Sequence, residues 1–210
     1  MNYERDSTGT LHQKEVEPFV YDHDYNEIYN TELYKKNSWV LSTLRLAFVF
    51  SILGLNGSIL DVGYGNGDFL RVASLTYEAH GYDISDYTPK DIKRVNSMYG
   101  KYDAICFWDS YEHMVDLEFV RSLDCKYAFF SMPYCHYDTM GEDWLMKWKH
   151  LKPNEHIHHF TPESLMLQMQ KFGYHPFVEN NKIENIIRRN PDDELQNIFS
   201  AAYYIGRGYK

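Results

Sequence analysis

Asp61, Gly63, Gly65 and Gly67 are the residues of this 210-residue chain whose types and spacing point most directly to chemistry. They lie in Ile59-Leu60-Asp61-Val62-Gly63-Tyr64-Gly65-Asn66-Gly67-Asp68-Phe69-Leu70, where an apolar run meets an acid, then three glycines at alternate positions, then an apolar helical start. Such a stretch reads as a strand, a tight turn and a helix N-terminus, the usual place for a nucleotide-like ligand in an α/β sheet. Glycines let a ligand approach the backbone without Cβ clashes, and amides at a helix start can hold an anion. The spacing is not that of a dinucleotide site, which needs Gly-x-Gly-x-x-Gly. Counted from Gly63 the last position is Asp68, and counted from Gly65 it is Leu70.

A second acid follows at a telling interval. Gly81-Tyr82-Asp83-Ile84-Ser85 ends the next expected strand, and Asp83 comes 22 residues after Asp61. That is about one crossover unit, so both acids fall at the same end of a parallel sheet. A carboxylate there can accept hydrogen bonds from two vicinal hydroxyls; its structural alternative is a helix cap or turn acid.

Further along, Phe107-Trp108-Asp109-Ser110-Tyr111-Glu112-His113 places two carboxylates and an imidazole just after an apolar run. Asp109 and Glu112 also have capping-box spacing, so a structural role stands beside the chemical one. Half of the ten histidines, namely His136, His150, His156, His158 and His159, fall in residues 134–160, together with Trp144 and Trp148. An imidazole titrating near neutrality can take a proton from a hydroxyl or an amine, which makes His156 a candidate general base. A zinc site is disfavoured because cysteines at zinc-like spacing are missing. Tyr25 and Trp148 are candidates to line a substrate pocket, with ordinary packing as their alternative.

These groups need elements to hold them. Residues 26–53 have helical periodicity through Leu33, Tyr34, Trp39, Val40, Leu44 and Leu46, and Gly54 and Gly57 break the chain before the first strand. Residues 77–83, 102–108 and 127–132 read as strands, with helices expected over 68–76, 111–122 and 162–173. Thr161 and Pro162 form a helix entry as N-cap and first-turn proline. The alternation implies right-handed crossovers and a mainly parallel sheet. Residues 174–180 and 197–205 read as two strands joined without a clear helix, an antiparallel pair at the sheet edge. Only residues 84–101 separate Asp83 from the strand at Tyr102, so a third strand near Val95-Asn96-Ser97-Met98 is very short or absent. The expected fold is α/β, a doubly wound, mainly parallel sheet with an antiparallel C-terminal hairpin. Residues 1–18 are expected as a flexible N-terminal arm, and 19–210 as one domain with a lid-like insertion at about 134–160.

The Asp-x-Gly-x-Gly-x-Gly motif closely resembles the first motif of class I S-adenosylmethionine-dependent methyltransferases, and the resemblance extends over about residues 58–175. The terminal antiparallel hairpin is also the arrangement of that family, and Glu112-His113 resembles a signature that many members carry after their fourth strand. The resemblance implies S-adenosyl-L-methionine as cofactor, with Asp61 near its amino group and Asp83 on the ribose. It implies that Gly63, Tyr64, Gly65, Gly67, Ile84 and Asp109 complete the cofactor site. Glu112, His113 and His156 are then the catalytic candidates. Asp109-x-x-Glu112-His113 also resembles the Glu-x-x-Glu-His metal motif of two subgroups, the ubiquinone-pathway O-methyltransferases and the small-RNA 2′-O-methyltransferases. This gives Asp109, Glu112 and His113 as an alternative divalent-metal set, although Asp in the first place shortens the reach; the primary reading has no metal.

Composition narrows the partners. The formal net charge of −9 disfavours broad binding to nucleic acid or to an acidic membrane surface. No apolar run is long enough to span a bilayer, and the start Met1-Asn2-Tyr3-Glu4-Arg5-Asp6 has no secretory pattern. Three cysteines without paired spacing argue against a disulfide framework, which makes the cytoplasm the expected compartment. The expected activity is methyl transfer to an oxygen or nitrogen of a small-molecule or sugar-type acceptor. The alternatives are a nucleic-acid methyltransferase, supported by the basic run Lys147–Lys152 and the metal motif, and a non-catalytic cofactor-binding protein. The pattern specifies no oligomeric state.

Overall fold

The computed structural model describes residues 2–21, 31–86, 88–188 and 195–206. The chain divides into two compact units, one comprising Val20–Trp108 and Ser122–Phe130, the other Met1–Phe19, Asp109–Arg121 and Ser131–Lys210. Tyr25, a candidate pocket residue, lies outside the described residues.

The first unit carries the glycine motif. Helix α1, Glu32–Leu53, begins at Thr31, whose side chain accepts a hydrogen bond from the Tyr34 amide, and ends at Gly54 with φ 76°. With ψ −159° this is a backbone conformation open to glycine and strained for other residues. The buried residues of α1 are Ser42, Arg45, Phe48 and Val49, from its middle onward, while Leu33, Trp39 and Val40 are exposed. Strand β3, Ser58–Val62, follows, then the glycine loop, the short helix α2, Asp68–Ala73, and strand β4, Glu78–Tyr82. Strand β5 runs Lys101–Trp108 and β6 runs Asp124–Pro133. The strand order in this unit is β4-β3-β5-β6, with β3 parallel to both β4 and β5. Ile59, Leu60, Ala104, Ile105 and Cys106 are fully buried, as strands covered on both faces must be. The short third strand foreseen after Asp83 is a single bridge, in which Arg94 pairs in parallel with Gly81.

Gly81 shows how tightly the loop is seated. A Cβ there would lie 2.5 Å from Leu70 Cδ1 and 2.6 Å from Tyr64 Cδ1. Both neighbours are buried, so neither can swing away. Gly81→Ala is expected to cost about 1–3 kcal/mol through overpacking, read as a lower urea midpoint. Because Tyr64 belongs to the glycine loop, cofactor affinity is expected to fall with it.

In the second unit, residues 1–18 depart from the expected flexible arm. Strands β1, Tyr3–Arg5, and β2, Leu11–Gln13, form an antiparallel hairpin, and β2 pairs with β7, His158–His159. Asp6 Oδ1 closes the turn by accepting from the Thr8 amide and hydroxyl and from the Thr10 amide. The polar composition of this stretch hides an alternation that buries Tyr3 and Leu11. The stretch 134–160, expected as a lid-like insertion, holds two short helices, α3, Tyr137–Met140, and α4, Glu142–Leu145. It also supplies Cys135, Leu145 and Trp148 to an apolar cluster with Leu11.

The expected helix over 111–122 is replaced by two short 3-10 turns, Tyr111–His113 and Glu118–Ser122. Met114 between them is extended (ψ 124°), which interrupts any continuous helical ladder. Helix α5, Pro162–Lys171, has the foreseen entry. Thr161 Oγ1 accepts from the Ser164 amide, and the Thr161 amide donates back to the Ser164 hydroxyl. Strand β8, Tyr174–Asn181, helix α6, Asn185–Arg188, and strand β9, Ile198–Ile205, close the chain. The order here is β6-β9-β8, with β8 and β9 antiparallel. The α/β class, the mainly parallel sheet and the terminal antiparallel hairpin are thus as expected. No described helix is long and apolar enough to cross a membrane.

Candidate active site

The cofactor candidates in the first unit converge on the turn after β3. Gly63, Gly65 and Gly67 all have positive φ, at 79°, 52° and 78°. The Gly63 amide donates to the Tyr82 carbonyl at 2.8 Å, and the Gly67 amide to the Tyr64 carbonyl at 2.9 Å. The Gly65 amide donates to Asp83 Oδ2 at 3.1 Å, so Asp83 is tied to the loop itself. Its other oxygen accepts from the Ser85 amide at 2.8 Å. At the helix start the Asp68 amide donates to Asn66 Oδ1. The two carboxylates beside the loop and the space at Gly65 are what it offers a ligand; among the described residues nothing lies within 4 Å of where a Gly65 Cβ would be. Tyr64 contributes backbone, since its ring is buried against Gly81, whereas the Ile84 side chain is exposed.

Asp61 is the electrostatic centre of this turn. It is 2 % exposed, and its Oδ1 is buried without a hydrogen-bond partner among the described residues. Burial pushes the carboxyl up to about 8, opposed by the Arg45 guanidinium and reinforced by the Asp83 charge. Asp83 is also raised, chiefly by burial. A buried acceptor with no partner is costly, and a ligand ammonium group would supply what this one lacks. Two carboxylates flanking an open glycine turn fit the amino and ribose groups of S-adenosylmethionine.

The second unit gathers the other candidates. Asp109, the first residue after β5, holds φ 53°, a strained conformation for a non-glycine residue of the kind that concentrates at functional sites. Its amide donates to the Ser131 carbonyl at 2.9 Å. Ser110, not Asp109, stands at the N-cap of the following turn, and no side chain caps it. Glu112, His113 and His156 come together, with ligating atoms within 4.8 Å of one another. This is the one such group among the described residues, and Asp109 is not part of it. This group differs from the alternative metal set expected from the sequence in holding His156 and not Asp109.

The His113 and His156 rings meet edge to face with centroids 4.7 Å apart. His156 Nδ1 lies 3.0 Å from the His150 carbonyl oxygen, which can only accept, so Nδ1 carries the proton and Nε2 the lone pair. Burial pulls His156 down to about 4, helped by the nearby Lys152 ammonium, and His113 down to about 3. A base titrating near neutrality, expected for His156, is therefore not what the structure holds: desolvation keeps both rings neutral. Lys152 itself donates to Glu155 Oε1 at 2.9 Å, which ties down one end of the basic run Lys147–Lys152.

Trp148, a candidate pocket residue, is instead buried packing. It stacks on Trp144 at 5.3 Å and meets His150 and His159 edge-on at 5.4 and 5.5 Å. Sequence reasoning missed Arg45, a buried cation on α1, because a lone Arg inside a helical pattern carries no motif.

A family model described as a methyltransferase domain matches residues 34–177. The chain belongs to the methyltransferase-domain family. Solved structures agree on its fold. The methyltransferase is 16% identical to a SAM-dependent methyltransferase from Archaeoglobus fulgidus, at a TM-score of 0.57 over 88% of this chain and 100% of that one. It is 14% identical to magnesium protoporphyrin IX methyltransferase from Synechocystis, solved with bound S-adenosylhomocysteine, at 0.58 over 86% and 92%. It is 11% identical to the 1,6-didemethyltoxoflavin-N1-methyltransferase of Burkholderia thailandensis, at 0.57 over 98% and 99%. No curated protein matches the sequence. The family and the α/β architecture make the chain a class I, S-adenosylmethionine-dependent methyltransferase.

Proposed function

We propose that this methyltransferase acts on a nitrogen or oxygen of a small molecule. The observation that carries the cofactor half of the reading is the buried, unpartnered Asp61 Oδ1 beside Asp83 and the open turn at Gly65. When bound, S-adenosylmethionine supplies an electrophilic methyl group on a positively charged sulfur. The protein's share is positioning: Asp61 takes the amino group, Asp83 the ribose hydroxyls, and the Gly63–Gly67 turn admits the chain of the methionine moiety. Such positioning is worth up to roughly 7–11 kcal/mol of barrier in favourable cases.

The acceptor half rests on the group formed by Glu112, His113 and His156. Imidazoles held neutral at about 3 and about 4 cannot strip a proton from an alcohol. They can accept a hydrogen bond and orient a group. This favours an acceptor whose attacking atom already offers a lone pair, such as a ring nitrogen, an amine or a carboxylate oxygen. Two fold relatives, named for magnesium protoporphyrin IX and 1,6-didemethyltoxoflavin, support a small-molecule acceptor. The net charge of −9 and the tie between Lys152 and Glu155 speak against nucleic acid. The three cysteines form no disulfide with one another, which supports a cytoplasmic setting.

The test is a labelled-methyl assay on metabolite extract, RNA and DNA. Label in a small molecule supports the reading. Label in RNA or DNA alone, with a steep salt dependence of filter binding, would replace it with the nucleic-acid alternative. Cofactor binding without label anywhere would leave a non-catalytic binder. With an acceptor in hand, His156→Ala is expected to lower kcat by up to roughly 10²-fold through misplacement of the acceptor, while S-adenosylhomocysteine affinity stays as in wild type. Activity that dies in EDTA and returns with a divalent cation would turn the Glu112–His113–His156 group into a cation site.

A further inference from the structure

Arg45 is a buried charge with no role in the account so far. It is 8 % exposed, on the half of α1 that faces inward. Its guanidinium lies over the Trp108 ring, 5.2 Å from the centroid. Trp108 is fixed in turn by Phe69 of α2, edge-on at 5.2 Å. The register of the sheet makes this placement informative. Asp61 of β3 stands opposite Cys106 of β5. Side chains two apart on a strand share a face, so Cys106 and Trp108 look the same way, and Asp61 looks that way with them. A cation resting on Trp108 therefore lies on the face that carries Asp61. The electrostatics agree: among the described residues Arg45 is the charge that lowers Asp61, and it also lowers the Cys106 thiol.

We propose that Arg45 is a positioning residue of the cofactor site, a buried cation over the Trp108 ring on the face that carries Asp61, which favours the carboxylate form of Asp61 that the cofactor's ammonium group needs. This rests on the reading that Asp61 receives that group. The groups facing Asp61 are Arg45 from α1, the Asp83 carboxylate beyond β4 and the Cys106 thiol of β5. Asp83 opposes ionisation of Asp61, and burial opposes it more strongly. Arg45 is what stands against both. A guanidinium suits that place because it is planar and weakly hydrated, so it can lie against an indole face where a strongly hydrated ammonium acts as a point charge.

The test follows Asp61 directly, in ligand-free protein labelled with ¹³C-aspartate and assigned with Asp61→Asn. The wild-type carboxyl is expected to titrate near about 8. In Arg45→Gln the midpoint should rise by about one unit or more. In Arg45→Lys it should rise by less, because charge is kept and stacking lost. Calorimetry with S-adenosylhomocysteine should show Arg45→Gln binding at least about tenfold more weakly at pH 7 and recovering as pH rises past the new midpoint. An unchanged Asp61 midpoint in folded Arg45→Gln overturns the proposal. Should the glutamine variant not fold, Arg45→Met decides by the same criterion: an upward shift supports the role and no shift removes it. If wild type binds no S-adenosylhomocysteine at any pH, the cofactor reading fails, while the carboxyl titration still decides what Arg45 does.

Discussion

Asp61→Asn is expected to abolish useful cofactor binding while making the ligand-free protein more stable at pH 8. The two effects have one cause. Burial raises Asp61 to about 8, against about 3.9 in an unfolded chain. A carboxyl raised on folding binds its proton more tightly in the native state, so stability falls as pH climbs from the unfolded value through the folded one. The neutral amide escapes that loss. It also cannot offer the anionic acceptor that a cofactor ammonium group needs. A charge-assisted hydrogen bond of roughly 1.5–3 kcal/mol corresponds to a 10–150-fold loss of affinity for S-adenosylhomocysteine. Thermal melts at pH 6 and pH 8 and calorimetry on the same preparation check both halves. A variant that binds as wild type does, or that melts lower at pH 8, contradicts the assignment. The same linkage makes cofactor binding release protons near neutral pH, visible as heats that differ between buffers of different ionisation enthalpy.

Acid is expected to destroy the fold far above the pH at which carboxylates protonate. His113, His156, His158 and His159 are all pulled down by burial, to about 3, 4, 4 and 3. Each titrates near 6.5 when unfolded. A base depressed on folding contributes its stability above the unfolded value and loses it as pH falls toward the folded one. Each such histidine costs roughly 1.4 kcal/mol per pH unit, so four together cost about 5 kcal/mol per unit below pH 6. A domain with total stability of about 5–15 kcal/mol cannot survive two or three units of that. Unfolding is therefore expected between about pH 6 and pH 4. The Asp61 contribution has the opposite sign and is outweighed there, which puts maximum stability close to pH 6.5. A scan of melting temperature against pH checks this. Retention of the pH 7 melting temperature at pH 4.5 would show that these rings are solvated.

The sequence carried the strands, the glycine turn and both acids because each is written locally. Alternation, a Gly-rich turn and the 22-residue interval from Asp61 to Asp83 need no knowledge of distant partners. The Thr161–Ser164 cap was legible for the same reason. What failed depended on long-range contacts. Residues 3–13 look like a polar arm until β2 meets β7, at which point Tyr3 and Leu11 acquire something to bury against. The 111–122 stretch has helical composition, but Ile157 and His158 come from far along the chain to take the Glu112 and Met114 carbonyls, and the segment breaks into two turns. His156 reads as an ordinary titrating imidazole until its burial is known. Arg45 has no sequence signal because its meaning lies in the face shared by Asp61, Cys106 and Trp108.

The central claim is that a methionine-derived nucleoside sits on the turn after β3, held by Asp61 and Asp83. Calorimetric titration of the wild-type protein and of Asp83→Ala with S-adenosylhomocysteine tests it most directly. A single-site binding heat in wild type, weakened at least about tenfold in Asp83→Ala by loss of the ribose hydrogen bonds, is the predicted result. No heat at millimolar ligand from folded wild-type protein, or equal affinity in the two proteins, would contradict it.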